Sequence, residues 1–443
     1  VKYGQLRKAK VFMLSPSLWK KRIIFWLGAT CVGIVAAYFA DFSEHTQIVF
    51  KQFAAKHPTL PLIITPFTFG LLTWVTLSFV PGSSGSGVPQ SIAARVLRDP
   101  KSRHTLLGPQ VIIAKIVLTI LAMGCGAAVG HEGPTVQIGA AIMVMFASFG
   151  KMRMQRGVVL AGTAAGVAAA FNTPLAGIVF AIEEMARAFE HRNSGIVLTA
   201  IVLAGTASLS ILGNYNYYGH ADIPFIIPRD WLAIIAVGII GGIIGGIFAK
   251  IFINGIRFLG YLQKKNGVLS VVAFATLCGF LVALIGYLTD GLTYGAGYET
   301  SKALLHGEQV GEWWYMPVRF LATILTAISG ISGGMFSPSL SIGTMLGDGI
   351  SHWFPNTPAS GVMLLAMVAY FAGVTQAPIT AFVIVLEITG NTTGAIPLIA
   401  SGVIAAGIGR LICPTSLYHA LAKLTIMRVW KISHPNKERI STS

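Results

Sequence analysis

Gly130-His131-Glu132-Gly133-Pro134 sets a carboxylate between two apolar runs, residues 116–129 and 135–149. An ionisable side chain at membrane depth is costly, so its default reading is functional. The depth is inferred from the rest of the chain. Of 443 residues, 54% are hydrophobic and only 11% charged, against about 25% charged in a soluble domain. Apolar stretches near the ~20 residues that cross a bilayer recur at 23–41, 61–80, 195–212, 231–254, 268–288 and 394–412. The fold class is an all-α polytopic membrane protein in contact with a lipid bilayer. Its 50 glycines and 20 prolines imply close helix packing and interrupted helices.

The formal charge is +16, but no soluble basic module carries it. The cations sit at membrane edges: Lys2 to Arg22, Arg95 to Arg103, Lys151 to Arg156 and Lys423 to Arg439. This is topogenic charge and predicts cytoplasmic termini; it does not suit a nucleic-acid partner. Residues 1–22 read as a basic cytoplasmic segment, 23–425 as the membrane domain and 426–443 as a basic cytoplasmic tail. No cleavable signal peptide is read at Val1. Cys31, Cys125, Cys278 and Cys413 stand singly in apolar surroundings and read as small buried hydrophobes, not disulfides or metal ligands. Asn391-Thr392-Thr393 fits a glycosylation sequon and is attributed to chance.

The chain repeats itself without gaps. Gly130 to Pro134 aligns with Gly334-Met335-Phe336-Ser337-Pro338, and Ile138-Gly139 with Ile342-Gly343. Asn172-Thr173-Pro174-Leu175 aligns with Gln376-Ala377-Pro378-Ile379, and Glu183 with Glu387. The offset is constant at 204 (338 − 134 and 387 − 183). Upstream, Thr119-Ile120-Leu121 meets Thr323-Ile324-Leu325 and Lys115 meets Arg319 in the same register. Insertions in loops erode such a register between unrelated segments. The copies read as halves of about 60–212 and 231–412, and transporters commonly hold substrate between such halves.

Three loops share one grammar. Gly85-Ser86-Gly87-Val88-Pro89, Gly130 to Pro134 and Gly333 to Pro338 each lead into a helix, with proline expected at its first position. A helix N-terminus offers unpaired N–H donors and positive partial charge, which makes it an anion site without a cationic side chain. Transit favours this, because a permeating ion must be held weakly and at several points.

As a set, in this order and spacing, the loops resemble the three filter motifs of the CLC family of chloride channels and chloride/proton antiporters. GSGVP (Gly85, Ser86, Gly87, Val88, Pro89) looks like the first. GHEGP (Gly130, His131, Glu132, Gly133, Pro134) looks like the second, usually G-[KR]-E-G-P. GGMFSP, with Gly334, Met335, Phe336, Ser337 and Pro338, looks like the third. The resemblance runs from about residue 20 to about 425. It implies a CLC-type protomer of two inverted repeats built from tilted and interrupted helices, paired as a homodimer with one pore each. It also implies that chloride, as transported substrate, is held by the Ser86 hydroxyl, the Met335 and Phe336 amides and the Tyr418 hydroxyl, with no cofactor, no metal and no enzymatic activity. Hydroxyls and amides suit that task, since they donate to a halide without a fixed charge.

By the same resemblance Glu132 is the gating glutamate. Ionised, it competes with chloride for the anion site; protonated, it withdraws, which couples proton and anion occupancy. Glu184, in Ala181-Ile182-Glu183-Glu184-Met185, matches the internal proton-transfer acid of the antiporters. Glu183 has a repeat partner in Glu387 and reads as a helix-end structural carboxylate. Glu184 faces Ile388 in the repeat, and that asymmetry favours a special role. The expected function is chloride/proton antiport. A passive voltage- or pH-gated chloride channel of the same fold is the alternative.

Several features narrow this further. Ser86, where nitrate-preferring relatives carry proline, favours chloride, and fluoride exporters differ in these motifs. The chain ends about 25 residues after Tyr418, so regulatory nucleotide-binding domains are not expected, and a bacterial inner membrane is the expected location. Gly330-Ile331-Ser332-Gly333 also fits the G-x-S-G of intramembrane serine proteases. A nucleophile needs a base within reach, and neither His352 nor His419 falls in a clear span, so this is a remote alternative. Finally, His131 replaces the usual Lys or Arg. Its imidazole either adds pH sensitivity beside Glu132 or serves as a neutral hydrogen-bonding substitute. His131→Arg separates the two: a flattened pH profile of transport supports a sensor, and an unchanged profile eliminates it.

Overall fold

The computed structural model describes residues 16–152, 156–186, 194–213, 217–220, 225, 229–308, 310, 314–391 and 394–434. Residues 1–15 of the basic N-terminal segment, Arg153, Thr392 and Thr393 of the sequon and 435–443 of the basic tail lie outside the described residues. Within them the chain is helical, and its only β-bridges are isolated pairs between loops. The helices are α1 (Pro16–Lys56), α2 (Pro61–Phe79), α3 (Val88–Val96), α4 (Pro100–Leu107), α5 (Pro109–Met123), α6 (Glu132–Phe149), α7 (Arg156–Phe171) and α8 (Pro174–Phe180). They continue as α9 (Ser194–Leu212), α10 (Trp231–Leu288), α11 (Tyr298–Leu305), α12 (Tyr315–Ile328), α13 (Phe336–Ser351), α14 (Ala359–Thr375), α15 (Pro378–Thr389), α16 (Ala395–Ile412) and α17 (Leu417–Ser433). Six helices among the described residues are long and apolar enough to cross a membrane.

Each long apolar stretch becomes a helix, and the division between the fourth and fifth stretches survives as a break in the backbone. The stretches 231–254 and 268–288 form a single run, α10, broken at Gly267 by φ 80°, ψ −172°. No right-handed helix passes through that conformation, and glycine adopts it without a steric penalty. α10 is therefore two helices with different neighbours. Gly241 and Gly245 of its first part press on Ala369 and Tyr370 of α14, while Gly279 of its second part presses on Phe69 of α2.

α7 and α14 form the centre. Positions 157–171 of α7 and 361–375 of α14 are buried throughout, as expected of helices apolar on every face. Each lies against the helix that follows a filter loop, α7 on α6 and α14 on α13. The glycine matched by the repeat lies at each contact. A Cβ on Gly139 would come 2.5 Å from the Gly162 carbonyl oxygen, and one on Gly343 would come 2.6 Å from Met367 Cα. Two of the cysteines, Cys278 and Cys413, are buried as expected; Cys31 and Cys125 are only half-buried.

The repeat is also visible in buried polar groups. Lys115 Nζ donates to the carbonyls of Ser83 at 2.9 Å and Gly85 at 2.5 Å. Its counterpart Arg319 donates to those of Thr293 at 2.7 Å and Gly295 at 2.6 Å. Both cations are fully buried, each pinning an upstream loop. The carboxylates trade places between halves. Glu183 accepts from the amides of Ile379 (3.2 Å) and Thr380 (2.6 Å) at the start of α15. Glu387 accepts from those of Leu175 (3.1 Å) and Ala176 (2.7 Å) at the start of α8. Acid on a helix N-terminus is favourable, and this reciprocal exchange of equivalent atoms is what a two-fold relation between halves produces. Glu183 is thus the helix-end carboxylate expected.

Glu183→Ala and Glu387→Ala each remove the acceptor for two amides, a loss of about 1–3 kcal/mol. Both should lower the thermal unfolding midpoint in detergent by similar amounts. A large loss for one with none for the other would contradict the exchange.

Candidate functional site

The three glycine loops meet, and backbone hydrogen bonds lace them together. Gly85 N–H donates to the Ile331 carbonyl at 3.1 Å and Gly333 N–H to the Gly85 carbonyl at 3.3 Å, joining the first loop to the third. Gly130 and Gly334, equivalent by the repeat, exchange both bonds at 3.0 and 2.7 Å, joining the second loop to the third. Side chains at Gly87 and Gly334 would force the loops apart. A Cβ on Gly87 would lie 2.5 Å from the Gly133 carbonyl oxygen, and one on Gly334 would lie 2.8 Å from the Gly133 nitrogen. Gly85 and Gly87 also adopt φ of 69° and 106°, where glycine is favoured.

The lacing brings the starts of α3, α6 and α13 to one place. The helices begin slightly earlier than expected, so the prolines are not first. Pro89 is the second residue of α3, and Pro134 and Pro338 are third in α6 and α13. The reasoning is unaffected, because every amide of the first turn lacks an intrahelical partner. α6 and α13 have no side-chain cap at His131 or Met335. Each therefore directs open amides and the positive end of its dipole toward the junction. Behind the first loop lies the Lys115 ammonium, held by the Ser83 and Gly85 carbonyls.

Glu132, only 1% exposed, opens α6. Its Oε1 accepts a hydrogen bond from the Ser337 hydroxyl of the third loop, and its Oε2 is buried without a hydrogen-bond partner. Ser86 Oγ is likewise buried and unpartnered, and it sits over Gly133, where a Cβ would approach it to 2.6 Å. Buried polar atoms are almost always paired, so these two orphans, one on the first loop and one on the second, mark a place built for something else. His131 is buried edge-on to Phe39 at 6.1 Å, and its Nε2 is also unpartnered.

Phe336 ties the third loop to the C-terminal helix. Its ring stacks on Tyr418 at 5.8 Å and also meets Phe171, Phe180 and Phe371. Tyr418 is buried at the start of α17 and lies within electrostatic reach of both Glu132 and Glu184. The structure thus brings Ser86, Glu132, Met335, Phe336 and Tyr418 together, with Glu184 within the field of Tyr418. Glu184 is buried on a π-helical turn, Ala181–Ala186, that continues α8. The equivalent stretch of α15 runs as unbroken α-helix to Thr389. Such π-bulges concentrate at functional sites, and this one falls where the two halves differ in sequence, at Glu184 against Ile388.

Some of this was not read from the sequence. Ser337 was placed in the filter motif, not as the donor to Glu132. Glu44, on α1, accepts from the Tyr217 hydroxyl at 3.0 Å and lies in the field of His131 and Glu132. His419 Nδ1 stands 3.4 Å from Glu184 Oε1. Nothing short of the fold could pair these residues, since 173 positions separate Glu44 from Tyr217. The protease alternative loses its nucleophile: Ser332 Oγ pairs with Thr119 Oγ1 at 2.9 Å, while His419 faces Ser416 and Glu184.

Comparison with known proteins fits this geometry. The family model described as voltage gated chloride channel matches residues 68–410. The H(+)/Cl(-) exchange transporter ClcA of Yersinia pestis bv. Antiqua (strain Angola) is 30% identical over 370 residues, covering 79% of this chain and 74% of its own. The protein of the same name from Yersinia pseudotuberculosis serotype O:3 (strain YPIII) gives the same figures. Among solved structures, a slow cyanobacterial Cl-/H+ antiporter superposes with a TM-score of 0.80 at 24% identity, over 92% of this chain and 98% of its own. A CLC-type fluoride/proton antiporter superposes with a TM-score of 0.75 at 20% identity, over 91% and 98%. Those two share the fold. Taken with its apolar helices, this chain is an integral membrane protein and belongs to the voltage gated chloride channel family.

Proposed function

We propose that this protein exchanges chloride for protons across a membrane, with Glu132 as the movable competitor of chloride. The observation that carries the reading is the seat of the Glu132 carboxylate. It lies at the N-terminus of its own helix and takes the Ser337 hydroxyl of the facing one, so it occupies donors of the kind a halide needs. On this reading chloride is held by Ser86 Oγ, the amides of Met335 and Phe336 and the Tyr418 hydroxyl. The remaining motif residues (Gly85, Gly87, Val88, Pro89, Gly130, His131, Gly133, Pro134, Gly334, Ser337 and Pro338) shape the loops. A carboxylate and a halide cannot share one set of donors, so proton uptake by Glu132 frees the site for chloride.

Glu184 favours exchange over passive conduction. It is a second buried acid beside Tyr418, on a stretch where the repeat departs from symmetry. The relatives named as exchangers lend the same support. The chemistry is transport and needs no catalytic residue, cofactor or metal; chloride is substrate. The membrane domain comprises 23–425, between basic cytoplasmic ends, in a bacterial inner membrane. Two copies pair, and the exposed apolar residues Leu175 and Ile379, equivalent by the repeat, are candidates for that contact or for lipid.

Liposomes containing the purified protein and a chloride gradient test the reading by external pH. Exchange drives protons uphill, whereas a passive channel gives chloride flux with none. Glu184→Gln should retain chloride flux and lose proton movement by at least about tenfold. Glu132→Gln should give uncoupled chloride flux insensitive to pH. Coupled proton transport surviving in either variant would contradict the assignment.

A further inference from the structure

Glu184 needs a route to water, and its sequence neighbour does not offer one. Both carboxylate oxygens of Glu183 are engaged by the Ile379 and Thr380 amides, fixing that side chain as a helix cap. Glu184 itself is 4% exposed. Among the described residues, His419 reaches it from a wetter position: its side chain is 23% exposed and its Nδ1 lies 3.4 Å from Glu184 Oε1. The same nitrogen lies 3.2 Å from Ser416 Oγ, which holds the ring at the start of α17. An N–H···O bond spans about 2.7–3.2 Å, so a shift of a few tenths of an ångström closes the contact.

We propose that His419 relays protons between solvent and Glu184. The step balances simply. Imidazolium gives its Nδ1 proton to Glu184 Oε1, leaving a neutral ring protonated at Nε2 and a neutral carboxyl group. Rotation of the ring presents the bare nitrogen to solvent, where hydronium restores the cation. Transport in the opposite direction runs the same steps backward. Imidazole is the side chain that exchanges protons most readily near neutral pH.

Apart from Glu184, the charged groups near α17 are mainly cations. Lys423, Arg428 and Lys431 lie on α17 itself, Arg95 on α3, Lys101, Arg103 and the titratable His104 on α4, and Lys250, Arg257, Lys264 and Lys265 on the first part of α10. Arg95 Nη1 donates to the Met185 carbonyl, on the turn that carries Glu184. Asp99 lies at the other end of α17, where His434 stands 4.0 Å from it. Among the described residues, Glu184 is the carboxylate that stands within 4 Å of the His419 ring.

The inference rests on the proposed exchange activity, and parallel measurements keep the two separable. Proton uptake and chloride efflux are read together in liposomes for the wild type, His419→Gln and His419→Ala. In both variants proton flux should fall about tenfold or more while chloride flux falls less, so the chloride-to-proton ratio rises. Imidazole in the buffer should restore proton flux in His419→Ala, in proportion to its concentration, and not in His419→Gln. Equal loss of both fluxes without rescue would make His419 structural and overturn the relay. An unchanged ratio in both variants would overturn it too, leaving the exchange activity intact. A wild type that moves no protons would overturn both.

Discussion

The site depends on four backbone hydrogen bonds that lace the three glycine loops together at Gly85, Gly130, Ile331, Gly333 and Gly334. They consume amides and carbonyls that would otherwise be buried unpaired, and they set the loops at backbone contact. Only glycine permits that spacing, as the approach of Gly87 and Gly334 to Gly133 shows. Three helix starts then converge, and among the described residues the Glu132 carboxylate is bonded by a hydroxyl, not by a cation. Lys115 is buried and tied to the Ser83 and Gly85 carbonyls. Donors without a fixed charge suit an ion that must leave as readily as it enters.

Symmetry builds the scaffold and its breaking equips it. The reciprocal caps of Glu183 and Glu387, the loop pins of Lys115 and Arg319 and the helix contacts at Gly139 and Gly343 are paired features of the two halves. Function gathers where the pairing fails. Glu132 faces Phe336 in the repeat, Glu184 faces Ile388, and among the described residues only the first half inserts a π turn. Tyr418 and His419 come from α17, which follows both copies. The two acids are thus connected through an element outside the repeat.

Much of this was legible in the residues. Hydropathy located the long helices because a span needs one continuous apolar run. The ungapped register exposed the halves, and the glycine-proline grammar identified the three loops. The break at Gly267 was legible too, since the polar Gln263-Lys264-Lys265-Asn266 stretch separates two apolar runs there. Two kinds of information were missing from the linear chain. The starts of α6 and α13 precede their prolines by two residues, since a helix may begin at any residue whose amide is free. Long-range pairings such as Ser337 with Glu132, or His419 with Glu184, have no periodic signature and arise only when the loops and α17 are brought together.

The central claim is that backbone dipoles and hydroxyls hold a bare halide beside Ser86 and Tyr418, where Glu132 competes for it. Crystals grown in bromide and measured at the bromine absorption edge test it most directly. The account predicts an anomalous peak within hydrogen-bond reach of Ser86 Oγ and the Tyr418 hydroxyl, and a further peak at the start of α6 when Glu132 is replaced by Gln. Absence of any peak at Ser86 and Tyr418 in well-diffracting crystals would contradict it.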